Sequence, residues 1–214
     1  EHLVSRIRRY ELRLNLSNCC NIMYHENMAR KYTQKKRAKL QEETRQRIVE
    51  AAVALHETLG PARTTITDVA ERAGVGRVTV YRHFPDESAL LAACSGHYWE
   101  NHPFPDTGPW QSIDDPRERM KRALQDSYAY HRLTEIMMTK ALADVADSPV
   151  FQPYLDHWNG AADVVASAWN FAGQDYTLLR AAIGHALSFT TWRSLIREQG
   201  LTDEQAVEVM LRLG

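Results

Sequence analysis

Long apolar runs are missing from this sequence: no uncharged stretch in its 214 residues exceeds twelve, whereas a helix crossing a bilayer needs about 20. The N-terminus has no continuous apolar segment leading to a small-residue cleavage site, and Arg8-Arg9 has no apolar run behind it. Neither a secretory leader nor an export signal is expected. Cysteine is scarce, with three residues and no CxxC spacing: Cys19 and Cys20 are adjacent and Cys94 falls in an expected helix. That excludes a disulfide framework and points to a reduced, cytoplasmic setting. Strand-like alternation, internal repeats and low-complexity tracts are absent too. Ser, His and Asp all occur, but in no GxSxG, HExxH, P-loop or GxGxxG context, so the chain does not read as an enzyme. No His/Asp/Glu set has metal-ligand spacing, and neither metal nor cofactor is expected.

What is present argues for a folded protein: 44% hydrophobic residues, five Trp and nine Tyr. The net charge of −1 hides an uneven distribution. Residues 1–94 carry 16 Lys+Arg against 11 Asp+Glu, and residues 95–214 carry 10 against 16. One half is suited to meet a polyanion and the other is not.

Residues 1–27 have no clean period and read as an upstream extension; Met28 then opens MARKYTQKKRAKL, which resembles a natural start. Arg30, Lys31, Lys35, Lys36, Arg37 and Lys39 make a basic arm, either a flexible solvated tail or a phosphate and minor-groove contact. From residue 42 the pattern is helical, with Ile48, Ala52, Leu55 and Leu59 on one face and a stop at Gly60-Pro61. Thr67 is the expected cap of a second helix that ends at Gly74. A third begins near Gly76 or Arg77 and closes at Phe84-Pro85, and Asp86 or Ser88 caps a fourth to about Glu100. Pro103, Pro105, Gly108 and Pro109 punctuate a loop. Further helices are expected from Pro116 to about Ala146, Tyr154–Phe171, Asp175–Glu198 and Asp203–Leu213, the last capped by Thr202. The chain therefore reads as all-α: an extension and arm over 1–41, a small helical domain over 42–95 and a larger helical domain over 96–214.

Two short helices joined by a glycine turn make a helix-turn-helix, whose second helix can enter a major groove. Val69, Ala73, Val80 and Phe84 face inward. Arg77, Val78, Thr79, Tyr81, Arg82 and His83 face out. Arginine can read guanine O6 and N7, Val78 can meet a thymine methyl, and hydroxyls or imidazole suit phosphate. The plainer alternative is a surface helix with ordinary polar decoration.

The run TTITDVAERAGVGRVTVYRHFPDESALL, Thr64 to Leu91, resembles the DNA-binding signature of the tetracycline-repressor (TetR) family. The matching elements are Val69-Ala70, Ala73-Gly74-Val75, Thr79-Val80-Tyr81-Arg82-His83-Phe84 and Ala89-Leu90-Leu91. The resemblance implies an N-terminal three-helix DNA-binding domain and a C-terminal ligand-binding and dimerisation domain. By position it implies backbone contacts from Thr65, Thr79, Tyr81 and His83, with Arg77, Val78 and Arg82 facing bases. Two departures stand out. Gly76 replaces the usual Ser/Thr cap at little cost, and Glu87 replaces a common Lys, which removes one phosphate contact from the expected set.

The C-terminal half is dense in aromatic residues and Met, whose default role is core and dimer packing. The resemblance implies instead that some enclose a small, mostly apolar effector. The candidates are Trp99, His102, Trp110, Tyr128, His131, Met138, Phe151, Trp158 and Trp169; His157 and His185 could also orient a ligand. Small residues (Ala161, Ala162, Val165, Ala166 and Ala168 with Ala181, Ala182, Gly184 and Ala186) suit close helix approach at a dimer interface. The sequence thus points to a ligand-responsive, DNA-binding transcriptional regulator. It would be most often a repressor, a cytoplasmic homodimer on a palindromic operator released by its effector. The competing reading is a helical adaptor that has lost specific DNA binding.

Overall fold

The computed structural model describes residues 34–213. The extension over 1–27, Cys19, Cys20, Arg30 and Lys31 lie outside the described residues. The chain divides into two compact units, 1–47 and 48–214. In the first, residues 34–47, which include part of the basic arm, are helical. Lys35, Lys36, Arg37 and Lys39 are exposed on it. Lys39 pairs with Glu43 at 3.7 Å and Arg45 with Glu42 at 3.9 Å, one helical turn apart, a local support that periodicity alone does not reveal.

The second unit begins with α1 (48–58), in which Ile48, Val49 and Ala52 are buried. It stops at Gly60, whose φ of 93° suits glycine, followed by Pro61. α2 (Ile66–Ala73) is capped by Thr65, not by Thr67 as expected. Asp68 N–H donates to Thr65 Oγ1 at 3.2 Å, and Thr65 N–H donates to Asp68 Oδ2 at 2.9 Å. The reciprocal pair needs an acidic residue three positions on. Thr65 has Asp68 there; Thr67 has Ala70, which cannot return the bond. Gly74 at φ 66° closes the helix in the left-handed region.

α3 (Arg77–His83) follows without a side-chain cap. α4 (Glu87–Asn101) starts at Asp86, whose Oδ1 accepts from Ala89 N–H at 2.7 Å. Ile48, Val49, Ala52, Val69, Val80, Phe84 and Leu90 form one buried cluster that holds α1 to α4 together.

A second cluster organises everything after it. A short α5 (Gly108–Gln111) lies in what the sequence marks as loop, because it carries Trp110 into full burial. α6 (Pro116–Val145) is a 30-residue rod. α7 (Gln152–Ala166) ends before the expected Phe171, where Ser167 Oγ bonds back to Val164 C=O at 2.8 Å. The buried Arg119 guanidinium ties these ends together, donating to the Ile113, Val164 and Gln111 carbonyls at 2.8, 3.0 and 3.2 Å.

The helix expected over Asp175–Glu198 is broken. α8 (Gly173–Leu187) ends at Ser188, whose extended backbone and hydroxyl cap α9 (Phe189–Arg193). A π-turn over Ser194–Glu198 precedes α10 (Asp203–Leu213), where Gln205 N–H donates to Thr202 Oγ1 at 3.3 Å as expected. Among the described residues there is no strand, and no helix is long and apolar enough to cross a membrane. The chain is all-α, a helix-turn-helix segment followed by a larger helical body.

Thr65→Ala should cost about 1 kcal/mol in denaturant unfolding, as the loss of an N-cap does, and Thr67→Ala within about 0.5 kcal/mol of nothing. Equal effects of the two would contradict the cap assignment.

Candidate nucleic-acid interface and ligand core

Val80 is fully buried against α1 and α2, and this anchor decides which side of α3 meets solvent. Arg77, Val78, Tyr81 and Arg82 follow at helical spacing on the opposite side and are exposed. Thr79 and His83 flank them, half-buried. Val78 is 74% exposed, an apolar side chain with nothing among the described residues to cover it. Neither Arg77 nor Arg82 is paired with a carboxylate among the described residues. Both guanidinium forks are open to an outside partner. Thr65 is exposed at the start of α2, but its hydroxyl proton is given to Asp68 Oδ2 at 2.6 Å. That bond holds the Asp68 carboxyl below its usual range.

The nine ligand candidates separate by how their polar atoms are satisfied. Trp110 Nε1 donates to Asp126 Oδ2 at 2.8 Å, and Tyr128 hydroxyl donates to the Ala186 carbonyl at 3.0 Å. With Met138 they are fully buried, partnered core. His102 sits at the end of α4, its Nδ1 3.1 Å from the Tyr98 carbonyl and its ring stacked on Tyr98. Trp169 lies elsewhere, lining a groove of about 670 Å³ between the start of α6, α8 and α10.

The other four, Trp99, His131, Phe151 and Trp158, come together in one ring cluster. Their neighbours there are His157, which the sequence offered as a residue that could orient a ligand, and Phe104, Tyr130 and Tyr154, which were not among the ligand candidates. His131 and Trp158 ring centroids are 4.8 Å apart, His157 and Trp158 4.9 Å, and Trp99 and Tyr154 6.1 Å. The adjacent pair His157-Trp158 was the available signal in the sequence. Phe104 gave none beyond being an aromatic between two prolines.

In this cluster the polar atoms are not satisfied. Trp99 Nε1, Tyr130 Oη, His131 Nδ1, His157 Nε2 and Trp158 Nε1 are buried without a hydrogen-bond partner. Trp158 interacts with the Tyr154 hydroxyl, but not at hydrogen-bonding geometry. Each such atom costs about 1–3 kcal/mol, so a core kept for packing alone would shed them. Burial lowers the His131 pKa to about 4, against the Leu187 carbonyl, which raises it. His131 is therefore neutral near pH 7. Its Nε2–H donates to that carbonyl at 2.8 Å, leaving Nδ1 as a bare acceptor. Burial also lowers His157 and pushes the Tyr130 and Tyr154 hydroxyls up.

α6 joins this cluster to the helix-turn-helix segment. The Lys140 ammonium donates to the last carbonyls of α1, Glu57 at 2.8 Å and Thr58. Asp144 Oδ2 accepts from Ala62 N–H at 3.0 Å. A positive charge at a helix C-terminus, here the Lys140 ammonium, is favourable against its dipole. Beside this clamp His56 Nδ1 lies 3.5 Å from Cys94 Sγ, and burial pushes the thiol up to about 12, an unreactive state.

The small residues expected at an interface divide as well. Ala161, Ala162, Val165, Ala166 and Ala186 are buried within the chain, between α7 and α8, whereas Ala181 and Ala182 are exposed. Leu178, Phe171 and Leu213 are exposed on α8, before it and on α10.

Residues 48–94 match the family model of bacterial regulatory proteins, tetR family. The HTH-type transcriptional regulator TtgR of Pseudomonas putida is 43% identical over 61 residues, 28% of this chain and 29% of that protein. The alignment thus spans under a third of the curated relatives it matches. A TetR-like transcriptional regulator from Rhodococcus sp. RHA1 shares the fold at TM-score 0.57 and 17% identity, over 79% of this chain and 92% of that one. The transcriptional regulator FadR from Bacillus subtilis, in complex with stearoyl-CoA, does so at TM-score 0.51 and 16% identity, over 78% and 97%.

His131 binds its proton more weakly folded than unfolded, so stability rises with pH between about 4 and 6.5. From pH 7 to pH 5 the chain should lose about 2 kcal/mol through this residue. Thermal melts of the wild type and His131→Gln across that range check it: the variant should have a visibly shallower slope.

Proposed function

We propose that this chain, which belongs to the TetR family of bacterial transcriptional regulators, is a cytoplasmic homodimer that holds a palindromic operator and releases it when a small, mostly apolar effector enters the C-terminal core. The observation that carries the DNA half is the outward face of α3. Its unpaired Arg77 and Arg82 and its uncovered Val78 are the groups that read guanine and thymine in a major groove. Thr79, Tyr81 and His83 border that face and set register on phosphate. Thr65 contributes through the helix start, since its hydroxyl is already engaged. The exposed Lys35, Lys36, Arg37 and Lys39 add sequence-blind attraction and a steep salt dependence.

Two copies are required for useful affinity, with recognition helices about 34–36 Å apart. The groove between α8 and α10, flanked by exposed Leu178, Phe171 and Leu213, supports a second copy as its cover. The helix-turn-helix segment and the body after it act as two domains in this reading, with α6 carrying the signal. An effector that shifts the ring cluster moves Lys140 and Asp144, and with them the end of α1. A coupling of about 1–3 kcal/mol then lowers operator affinity several-fold or more. FadR with stearoyl-CoA supports this as a similar fold that accommodates a ligand.

Asp86 and Glu87 stand together at the start of α4, where a phosphate would otherwise meet free N–H groups, and Asp86 already caps them. This is the one feature that favours the adaptor reading.

Selection from randomised duplex DNA at two salt concentrations tests the proposal. A palindrome should be enriched, and the Arg77→Ala/Tyr81→Phe double variant should fail to enrich it, with Arg77→Ala alone costing about 1–3 kcal/mol. Binding that is salt-sensitive but sequence-blind would favour the adaptor. Once an effector is found, Lys140→Met/Asp144→Ala should cut effector-driven release by about fivefold.

A further inference from the structure

Phe104 sits in the non-helical connector over 103–106, between α4 and α5, flanked by Pro103 and Pro105. Its ring lies face to face with His157, 4.5 Å away at 12°, and meets Trp99 at 5.1 Å, Tyr130 at 5.6 Å and Tyr154 at 6.2 Å. Three of those four neighbours carry unpartnered buried polar atoms. The phenyl ring supplies stacking and no hydrogen bond. It fills its place among these four rings with the right shape and the wrong chemistry. Nothing helical needs to unwind for it to leave, because its connector is irregular and only half-buried.

The atoms left unpaired define what would suit the space better. Trp99 Nε1 is a donor and needs an acceptor. The Tyr130 hydroxyl can both donate and accept and does neither. A ligand hydroxyl can serve both. Among the groups that act on Tyr130, His131, Tyr154 and His157 there is no ionised carboxylate, Lys or Arg. A charged ligand would give up its hydration with no counter-charge in return. The lining is rings throughout, which favours a flat partner.

We infer that Phe104 is a built-in plug, and that the ligand taking its place is a neutral, single-ring phenol, with one or two hydroxyls, stacked on His157 and hydrogen-bonded to Tyr130 and the Trp99 indole. The inference rests on the effector reading above for its biological role, but not for the binding itself.

The test is titration of the full chain with phenol, 1,3-dihydroxybenzene, toluene and benzoate, read by tryptophan fluorescence and calorimetry. The two phenols should bind at least tenfold more tightly than toluene or benzoate. Phe104→Ala should tighten phenol about five- to tenfold by removing the competitor. Tyr130→Phe deletes a hydroxyl without a partner, so the free protein's melting midpoint should rise by about 2–4 °C while phenol binds at least fivefold more weakly. A purely structural tyrosine would move neither reading in that combination. Toluene binding as tightly as phenol, benzoate binding more tightly, Tyr130→Phe leaving phenol affinity unchanged, or no phenol binding even to Phe104→Ala would each overturn the inference. Operator release is scored separately. Phenol that binds without loosening DNA supports the site and sinks the effector reading. Release by another compound, with phenol inert, does the reverse.

Discussion

α6 has to satisfy two places at once. It runs 30 residues without a break, about 45 Å at the helical rise. Its middle presents Tyr130 and His131 to the ring cluster, and its far end offers Lys140 and Asp144 to the close of α1. A continuous helix resists local bending because each turn is hydrogen-bonded to the next. In the effector mechanism proposed above, this is what carries a displacement at His131 to Lys140, nine residues on. The ends of α5 and α7 are tied to the start of the same rod through Arg119.

The core around α6 is built to two standards. Trp110, Trp192 and Tyr128 have their polar atoms matched to Asp126, Asp203 and Ala186 at 2.8, 2.9 and 3.0 Å. Trp99, Trp158 and Tyr130, the same residue types in the same core, have theirs unmatched. The first set stabilises; the second lowers stability and persists at a cost that packing does not explain. This contrast separates a site from a core more sharply than burial does, since both sets are buried or nearly so.

The outward face of α3 follows a simpler logic. Val69, Ala73, Val80 and Phe84 leave only one rotation of α3 that buries apolar surface, and Arg77, Val78, Tyr81 and Arg82 are exposed as a consequence. The glycine at the cap of α3 costs little because packing, rather than the cap, sets this helix. α2 has the opposite balance. Its start is held by the reciprocal bonds of Thr65 and Asp68.

The sequence by itself determined the all-α class, the stops at Gly60 and Gly74, the starts at Pro116 and Thr202, and the outward residues of α3, while it left the start of α4 open between Asp86 and Ser88. Each depends on residues within one or two turns, where helical period and capping act. Tertiary structure alone decided which aromatics have their polar atoms satisfied, because the partners lie far away in the chain. Tyr128 finds a carbonyl 58 residues on, and Tyr130, two positions later, finds none. It also decided the break at Ser188, where a helical pattern continues but Phe189 and Trp192 gain full burial by turning inward. Phe104 became meaningful only when the connector laid its ring against His157, a contact that no local spacing encodes.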